Sequence, residues 1–408
     1  MTDRMVIVGA SLAGLRAAQS AREAGFTGPL TLVGAQRQSP YDRPPLSKAY
    51  LSPAAPAEPP TFPEVAGLTE RFDVDVRLGT RARWLDPGRK LVGLCSASDD
   101  VELPYRRLII ATGAAARGLS AGACLAGVHT LRTVEDANAI KTALDASPRT
   151  VVVGAGFIGS EVASAVRARG LPVTVVEALG APLANAIGEQ VGRACAELYR
   201  AHGVELRCGV KVTELEQTAG RVRAVVLDDG GTIPADLVVV GVGAAPATDW
   251  LAGSGVELHR GDGGVLCDST LRTSVPDVYA AGDVAHVPHP LLGGRALRVE
   301  HWTNASEQGT LAARNALNPD AATPYVGVPY FWSDAFERRI QFVGVPEADE
   351  IRLVGHDPDQ HKLLALYRRG DRISGCFGIG RAGQVMKIQR LIAKSAPWSE
   401  ALASTGQR

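Results

Sequence analysis

Val151-Val152-Val153-Gly154-Ala155-Gly156-Phe157-Ile158-Gly159 is the stretch on which the reading of this chain turns. A β-branched run that breaks at Gly is how a buried parallel strand delivers the backbone to a phosphate. Gly154 permits the tight strand-to-helix turn, Gly156 lets the main chain approach a pyrophosphate, and Gly159 lets a helix beginning near Ile158 pack closely on its strand. The N-terminus of that helix offers free N–H groups and the positive end of its dipole to the phosphates. A second strand, Pro172 to Glu177, ends in a carboxylate 21 residues after Gly156, where an acid accepts hydrogen bonds from both ribose hydroxyls. A 2′-phosphate would meet that negative charge, and no Lys or Arg stands between Glu177 and Arg193 to offset it. The pattern therefore predicts NADH rather than NADPH.

Two further segments repeat the plan. Val6-Ile7-Val8-Gly9-Ala10-Ser11-Leu12-Ala13-Gly14 has the same strand and turn, with Ser11 in place of the middle glycine. A β-carbon at position 11 pushes a pyrophosphate slightly outward, while the hydroxyl is able to bond it. The second strand of this half, Leu30 to Gly34, is followed by Ala35 and Gln36 where a carboxylate is common, which leaves Gln36 as a neutral ribose acceptor. Taken alone, this half reads equally as a dinucleotide site and as an ordinary strand–helix turn. Val278-Tyr279-Ala280-Ala281-Gly282-Asp283-Val284-Ala285 places Asp283 at a strand end, facing the crevice where open α/β sheets bind ligands and able to accept a charge-assisted bond from a ribityl hydroxyl. Gly-Asp is also a common turn pair. Three such segments in this order are the arrangement of a protein that holds two dinucleotides, FAD and NADH.

Downstream of the first turn lies Pro40-Tyr41-Asp42-Arg43-Pro44-Pro45-Leu46-Ser47-Lys48. Pro44 and Pro45 fix φ and remove two donors, so the backbone is stiff before a short helix through Leu51, and Arg43 and Lys48 sit on a rigid ledge. With the two Gly-rich turns, the Gly282-Asp283 turn and Trp332-Ser333-Asp334, this run resembles the single-component ferredoxin reductases of bacterial oxygenase systems, which include those for putidaredoxin, rubredoxin and the biphenyl dioxygenase ferredoxin. The resemblance covers nearly the whole chain. It implies a glutathione-reductase-like α/β fold with two Rossmann-type dinucleotide domains plus a C-terminal α+β interface domain. The FAD domain would comprise residues 1–115 and 246–325, the NADH domain 116–245 and the interface domain 326–408.

The same resemblance implies tightly bound FAD, NADH as reductant, and roles for particular residues. Gly9, Ser11, Ala13, Gly14 and Gln36 would hold FAD, Arg43 would face its pyrophosphate, and Pro45 and Lys48 would lie at the flavin. A lysine there stabilises negative charge on the reduced ring, with Glu161 as its ion-pair partner. Leu108 to Gly113 and Val240 to Pro246 resemble the crossover strands of the family and bring Ala111, Thr112, Gly113 and Gly243 to the cofactors. Gly282, Asp283 and Val284 match its FAD motif. Gly154, Gly156, Ile158, Gly159, Glu161 and Glu177 would serve the NADH side. Glu300-His301-Trp302-Thr303-Asn304-Ala305 resembles the segment along the flavin's pyrimidine side at the start of a helix, with Trp302 against the ring edge; a core tryptophan at a helix N-terminus is the other reading. His301 is the histidine nearest a flavin contact.

Composition fits this plan and removes rivals. The 408 residues allow two to three domains, and 43 Lys and Arg balance 43 Asp and Glu, so no basic face for nucleic acid is expected. No stretch is apolar enough to span a membrane and the first strand begins at once, so a cytoplasmic enzyme is expected. Cys95, Cys124, Cys195, Cys208, Cys267 and Cys376 form no Cys-x-x-Cys or Cys-x4-Cys and none lies between Val33 and Val65, which speaks against thiol-based redox chemistry and against a zinc site; no metal is expected. The electrons then need a one-electron acceptor. The resemblance implies a small, acidic iron–sulfur ferredoxin serving a cytochrome P450 or a ring-hydroxylating oxygenase, and a monomer or weak dimer. An NADH oxidase or diaphorase without a ferredoxin is the alternative, and a signalling flavoprotein is a third. Beyond Pro324 the pattern alternates, predicting strands at Arg338 to Val343, Glu350 to Gly355, Lys362 to Tyr367 and Arg372 to Phe377 and a helix from Gln384 to Lys394. It departs from the family at Gly378-Ile379-Gly380, where relatives often carry Val-Asn. Arg295, Arg298, Arg338, Arg339, Arg369, Lys387 and Arg390, with Arg368 and Lys394, are candidates for steering an acidic partner.

Overall fold

The computed structural model describes residues 3–54, 56, 58–97, 99–119, 125–357 and 359–406. Its contacts separate two units, one made of Met1–Asp42, Pro60–Ala115 and Ala245–Pro329, the other of Arg43–Pro59, Ala116–Ala244 and Tyr330–Arg408.

In the first unit the Met5–Val8 strand lies in the middle of a five-stranded parallel sheet, ordered Val278–Ala280, Arg107–Ile110, Met5–Val8, Leu30–Val33, Val74–Arg77. Its register sets Val8 opposite both Val33 and Ile110. These short runs are apolar on both faces, as strands covered on both sides must be, and Met5, Val6, Ile7, Leu32 and Ile109 are fully buried. Because chain order reverses on either side of the first strand, a crevice opens at its C-terminal end, where Gly9 begins the turn into the Leu12–Glu23 helix. A three-stranded antiparallel meander, Arg81–Asp86, Leu91–Cys95 and Asp100–Pro104, is inserted before the fourth strand.

The second unit repeats the design. Glu205–Cys208, Val173–Glu177, Thr150–Val153, Leu237–Val240 and Val128–Thr130 form a parallel sheet, with Thr150–Val153 central and Val153 opposite Val176 and Val240. The Val212–Thr218, Arg221–Leu227 and Thr232–Pro234 meander occupies the same place in the order. The strands predicted beyond Pro324 form a five-stranded antiparallel sheet, ordered Tyr330–Ala335, Arg338–Gly344, Arg372–Ile379, Lys362–Arg369, Glu350–Asp357. Two elements go beyond the sequence expectation: the edge strand Tyr330–Ala335 and a last helix, Trp398–Ser404, after Ala382–Ala393. Gly378 and Ile379 continue their strand, and Gly380 ends it in the left-handed region at φ 61°. The short helix expected through Leu51 is instead two 3-10 turns, Pro44–Ser47 and Ala49–Leu51, broken at Lys48, whose φ of −117° and ψ of −107° lie outside the helical region. No helix among the described residues is long and apolar enough to cross a membrane.

In the first unit the Leu12–Glu23 and Trp302–Leu317 helices touch at Gly309, where a β-carbon would stand 2.2 Å from the carbonyl oxygen of Ala13. Backbone cannot retreat as a side chain can, so Gly309→Ala is expected to lower unfolding free energy by about 1–3 kcal/mol. Gly383→Ala, in the Ala382–Ala393 helix with open space around it, should be neutral or stabilising by up to about 1 kcal/mol. Urea unfolding of the two variants checks the contrast.

Candidate functional site

In the second unit the turn after Thr150–Val153 is tied on both sides: Gly154 N–H donates to Val176 O and Gly241 N–H to Val153 O, both at 2.7 Å. Gly159 is demanded by packing, since a β-carbon there would lie 1.9 Å from Gly154 O. Gly156 is different. Its φ of −74° suits any residue, and a β-carbon would meet nothing within 4 Å. The backbone does not require this glycine, and the space above it is open. Ser160 Oγ donates to Gly156 O at 2.7 Å and also pairs with the buried Tyr199 hydroxyl, which holds the turn from below. Glu177 closes the second strand, where its two oxygens accept from Ala155 N–H at 2.7 Å and Leu179 N–H at 2.9 Å. Its negative charge is thereby fixed beside the turn. Ile158, Leu179 and Val242 are 41%, 37% and 42% exposed, an unusual grouping of bare aliphatic side chains around one turn, and Gly243 beside them faces open space. A cleared glycine, a helix N-terminus, a fixed carboxylate and apolar walls suit the pyrophosphate, ribose and flat rings of a nicotinamide dinucleotide.

In the first unit the corresponding bonds recur. Gly9 N–H donates to Val33 O at 2.7 Å, Ala111 N–H to Val8 O at 2.8 Å and Ala281 N–H to Ile110 O at 2.9 Å. Ser11 has the same extended backbone as Gly156, with φ −126°, and its carbonyl accepts from Leu15 N–H at 2.8 Å, so the serine enters without strain. Gln36 Nε2 donates to the Tyr41 hydroxyl at 2.8 Å. Gly282 lies against Ala13 and Ala305, and its N–H donates to the buried Gln308 Oε1 at 2.9 Å. Gly14, Ala13 and Gly282 thus converge at two helix N-termini. Thr112 Oγ1 donates to Ala247 O at 2.8 Å beside Gly113. Val284 is fully buried, and its carbonyl accepts from Val265 N–H at 2.8 Å. Trp302 packs against the core of this unit, and its Nε1 donates to Asp42 Oδ1 at 2.9 Å. Burial holds the His301 imidazole down to about 4, with Asp283 pulling the other way.

Arg43, Pro45, Lys48 and Glu161 all belong to the second unit. Arg43 donates to Arg132 O at 2.6 Å, which moors the Pro-Pro ledge ahead of the Val134–Asp145 helix. Lys48 Nζ lies 2.8 Å from Glu161 Oε1 and 3.0 Å from Pro44 O. Glu161 is 3% exposed and also accepts from the hydroxyls of Ser47 and Ser333.

Ser47, Ser333, Gln308 and Asp42 escaped the sequence reading as site residues. Ser47, Asp42 and Ser333 stand inside runs singled out for their resemblance, but no spacing rule joins them to their partners. The Asp262 group was also missed. Asp262 accepts from His286 Nε2 at 2.8 Å, from Arg298 Nε at 2.7 Å and approaches His259 Nδ1 at 3.1 Å. Arg298 in turn donates to Asp283 O at 2.9 Å and pairs with Glu300. Its side chain is 12% exposed, so Arg298 is corrected from a docking charge to an internal one, held by two carboxylates that satisfy its desolvated guanidinium. Arg339 is exposed but paired with Asp334 at 2.8 Å; Arg295, Arg369, Lys387 and Arg390 are exposed, and Arg338 is half-buried. The five described cysteines are free. Burial pushes the Cys195 thiol up to about 12 and raises Cys208, Cys267 and Cys376, while a bond to Asp100 raises Cys95. None is poised as a thiolate. Cys124 lies outside the described residues.

Residues 3–309 match the pyridine nucleotide-disulphide oxidoreductase family and residues 330–406 match a reductase C-terminal domain. The chain is 35% identical over 401 residues to a ferredoxin–NAD(P)(+) reductase of a Sphingomonas species, covering 97% of this chain and 95% of the relative. It is 37% identical over 378 residues to the ferredoxin–NAD(+) reductase component of the biphenyl dioxygenase system of Paraburkholderia xenovorans, covering 92% and 88%. The crystal structure of the covalent putidaredoxin reductase–putidaredoxin complex superposes with a TM-score of 0.89 at 32% identity, over 97% of this chain and 94% of that one. The duplicated parallel sheets with their Gly turns define a flavoprotein oxidoreductase that binds FAD and uses NAD(P)H. More narrowly, the chain belongs to the ferredoxin reductases of the pyridine nucleotide-disulphide oxidoreductase family.

Two outcomes are expected from this geometry. Gly156→Ala should leave the melting temperature within a few degrees and weaken NADH binding at least tenfold, whereas Gly159→Ala should fail to fold stably; calorimetry and flavin-reduction titrations separate the two. His301 takes up a proton near 6.5 when unfolded but only near 4 when folded, so the unfolded chain binds more protons between those values and stability falls as pH is lowered through that window. His286 and His289, also lowered by burial, act in the same direction. Urea unfolding of His301→Asn at a series of pH values should show a shallower decline from pH 6.5 to 4 than the parent.

Proposed function

We propose that this reductase oxidises NADH and passes the electrons singly to a small, acidic iron–sulfur ferredoxin that serves a cytochrome P450 or a ring-hydroxylating oxygenase. The observation that carries the nicotinamide choice is Glu177, whose carboxylate is fixed by Ala155 and Leu179 N–H groups beside the open face of Gly156. A 2′-phosphate brought there meets a charge that is unable to swing away. In this reading residues 1–115 with 246–325 hold FAD, 116–245 receive NADH, and 326–408 form the interface domain. When bound, the flavin accepts two electrons from the dihydronicotinamide and releases them one at a time.

The chain's own residues orient and stabilise. Gly9, Ser11, Ala13, Gly14 and Gly282 shape the FAD pyrophosphate cradle, with Gln36 and Asp283 at its sugar and ribityl hydroxyls and Arg43 countering the phosphate charge. Ala111, Thr112, Gly113, Val284 and Trp302 complete its walls. Lys48 offers a fixed positive charge to the flavin, held by Glu161. Burial raises the Cys195 and Cys376 thiols, which disfavours both as redox thiolates. The ferredoxin is supported by relatives that carry that partner in their names and by the complex with putidaredoxin. Arg295, Arg338, Arg339, Arg369, Lys387 and Arg390 remain as steering charges; a monomer or weak dimer in the cytoplasm completes the proposal.

Cytochrome c reduction with NADH is expected to rise severalfold on adding a cognate-type bacterial ferredoxin, and that stimulation should fall between 50 and 500 mM salt, as steering between exposed charges requires; these concentrations are about a Debye length of 14 Å down to about 4 Å. NADPH should be a poor substitute. Glu177→Gln, which keeps one acceptor oxygen, should raise kcat/KM for NADPH about tenfold, equivalent to about 1.4 kcal/mol. Rapid NADH oxidation with no response to any ferredoxin would favour an oxidase instead.

A further inference from the structure

The Phe157–Ala168 helix, which starts at the dinucleotide turn, is fastened to one edge strand of the C-terminal sheet at three positions along one face. The Phe157 ring lies 4.3 Å from that of Phe331, Glu161 accepts from the Ser333 hydroxyl, and Ser164 Oγ accepts from Phe336 N–H at 2.7 Å. Spacings of four and three on the helix meet spacings of two and three along the chain of the strand, so the two elements are held in one register. At the central position, Glu161 Oε1 is shared between Ser333 and Lys48, while Oε2 takes Ser47. Ser333 is fully buried.

We propose that Ser333 is a positioning residue for Lys48, acting through the Glu161 carboxylate. A carboxylate with two hydroxyl donors has its oxygens directed and its charge partly spent. Glu161 therefore fixes where the Lys48 ammonium stands without fully neutralising it. Without the Ser333 hydroxyl the carboxylate turns and closes on the ammonium, and less positive charge is presented to a cofactor. The sheet that carries Ser333 is the one proposed above as the interface domain, so one hydroxyl ties that sheet to the charge on the Pro-Pro ledge. This inference rests on the assignment of Lys48 to the flavin.

The test is a double-mutant cycle on the holoenzyme, read by stopped-flow flavin reduction with NADH and by the flavin midpoint potential. Ser333→Ala is expected to slow the limiting reduction rate about tenfold and lower the potential, with the NADH concentration for half-saturation changed less than twofold. Ser333→Thr, which restores a hydroxyl, should recover the rate to within threefold. In a Lys48→Gln background the Ser333→Ala effect should disappear. If Ser333→Ala costs the same factor with or without Lys48, or if Ser333→Thr is no better than Ala, the positioning role is overturned while the assignment of Lys48 stands. If Lys48→Gln alone changes neither rate nor potential, that assignment fails and takes the inference with it. Should Ser333→Ala lose its flavin on purification, Ser47→Ala, which removes the hydroxyl on the opposite oxygen, goes through the same cycle with the same expected outcomes.

Discussion

A carboxylate with almost no exposure has to be paired, and Glu161 is the group around which the second unit is organised. Stripping its partners would leave an uncompensated buried charge, at a cost of about 3–5 kcal/mol. The chain meets this constraint with residues from three distant stretches: Ser47 and Lys48 on the proline ledge, Glu161 on the helix below the dinucleotide turn, and Ser333 on the edge of the C-terminal sheet. Each stretch is placed by its own local physics. Two prolines stiffen the ledge, close glycine packing seats the helix, and strand pairing sets the edge. The carboxylate then makes these three placements mutually dependent. A buried ion pair is poor evidence for stability, since an apolar replacement often serves as well, and better evidence that a charge has been retained for use.

The duplication of the dinucleotide fold shows how the same architecture tolerates different local chemistry. Both units centre the strand that breaks at the glycine turn, Met5–Val8 in one and Thr150–Val153 in the other, and insert a meander before the strand that pairs with its other side. At the third position of the turn, one carries Gly156 and the other Ser11, and the backbone is extended in both. The glycine of the NADH side is thus a matter of clearance and not of conformation. The residues ending the second strands diverge more sharply. Glu177 is locked by two backbone donors, whereas Gln36 gives its amide to Tyr41. One turn has a fixed carboxylate beside it and the other a neutral amide.

Much of this was legible in the chain because the determinants are short-range. A β-branched run, a glycine and an acid about twenty residues on are all within one strand–helix–strand unit, so pattern alone locates the turns, the first two strands of each such unit and Glu177, while Val74–Arg77, Val128–Thr130 and Glu205–Cys208 went unread. The alternation beyond Pro324 located four of the five antiparallel strands. Tyr330–Ala335 escaped because Tyr-Phe-Trp-Ser-Asp-Ala carries no clean period of two: three aromatics in succession are all half-buried, and only Ser333 and Ala335 are fully covered. Arg298 was misread for the opposite reason. An arginine beside other arginines looks solvated in sequence, and its carboxylate partner Asp262 is 36 residues away.

What the sequence determined by itself is therefore the class: two dinucleotide turns, an acid at the end of the second strand of one of them, and a C-terminal sheet. Those are properties of contiguous segments, where hydrogen-bond and packing requirements are met within a few residues. Only the tertiary structure decided which polar groups share a carboxylate, which arginine is internal, and which glycine is required by the packing around it. Burial creates those assignments, because a group removed from water must take whatever partner the fold brings within about 3 Å, and that partner's position in the chain is not limited by distance along it.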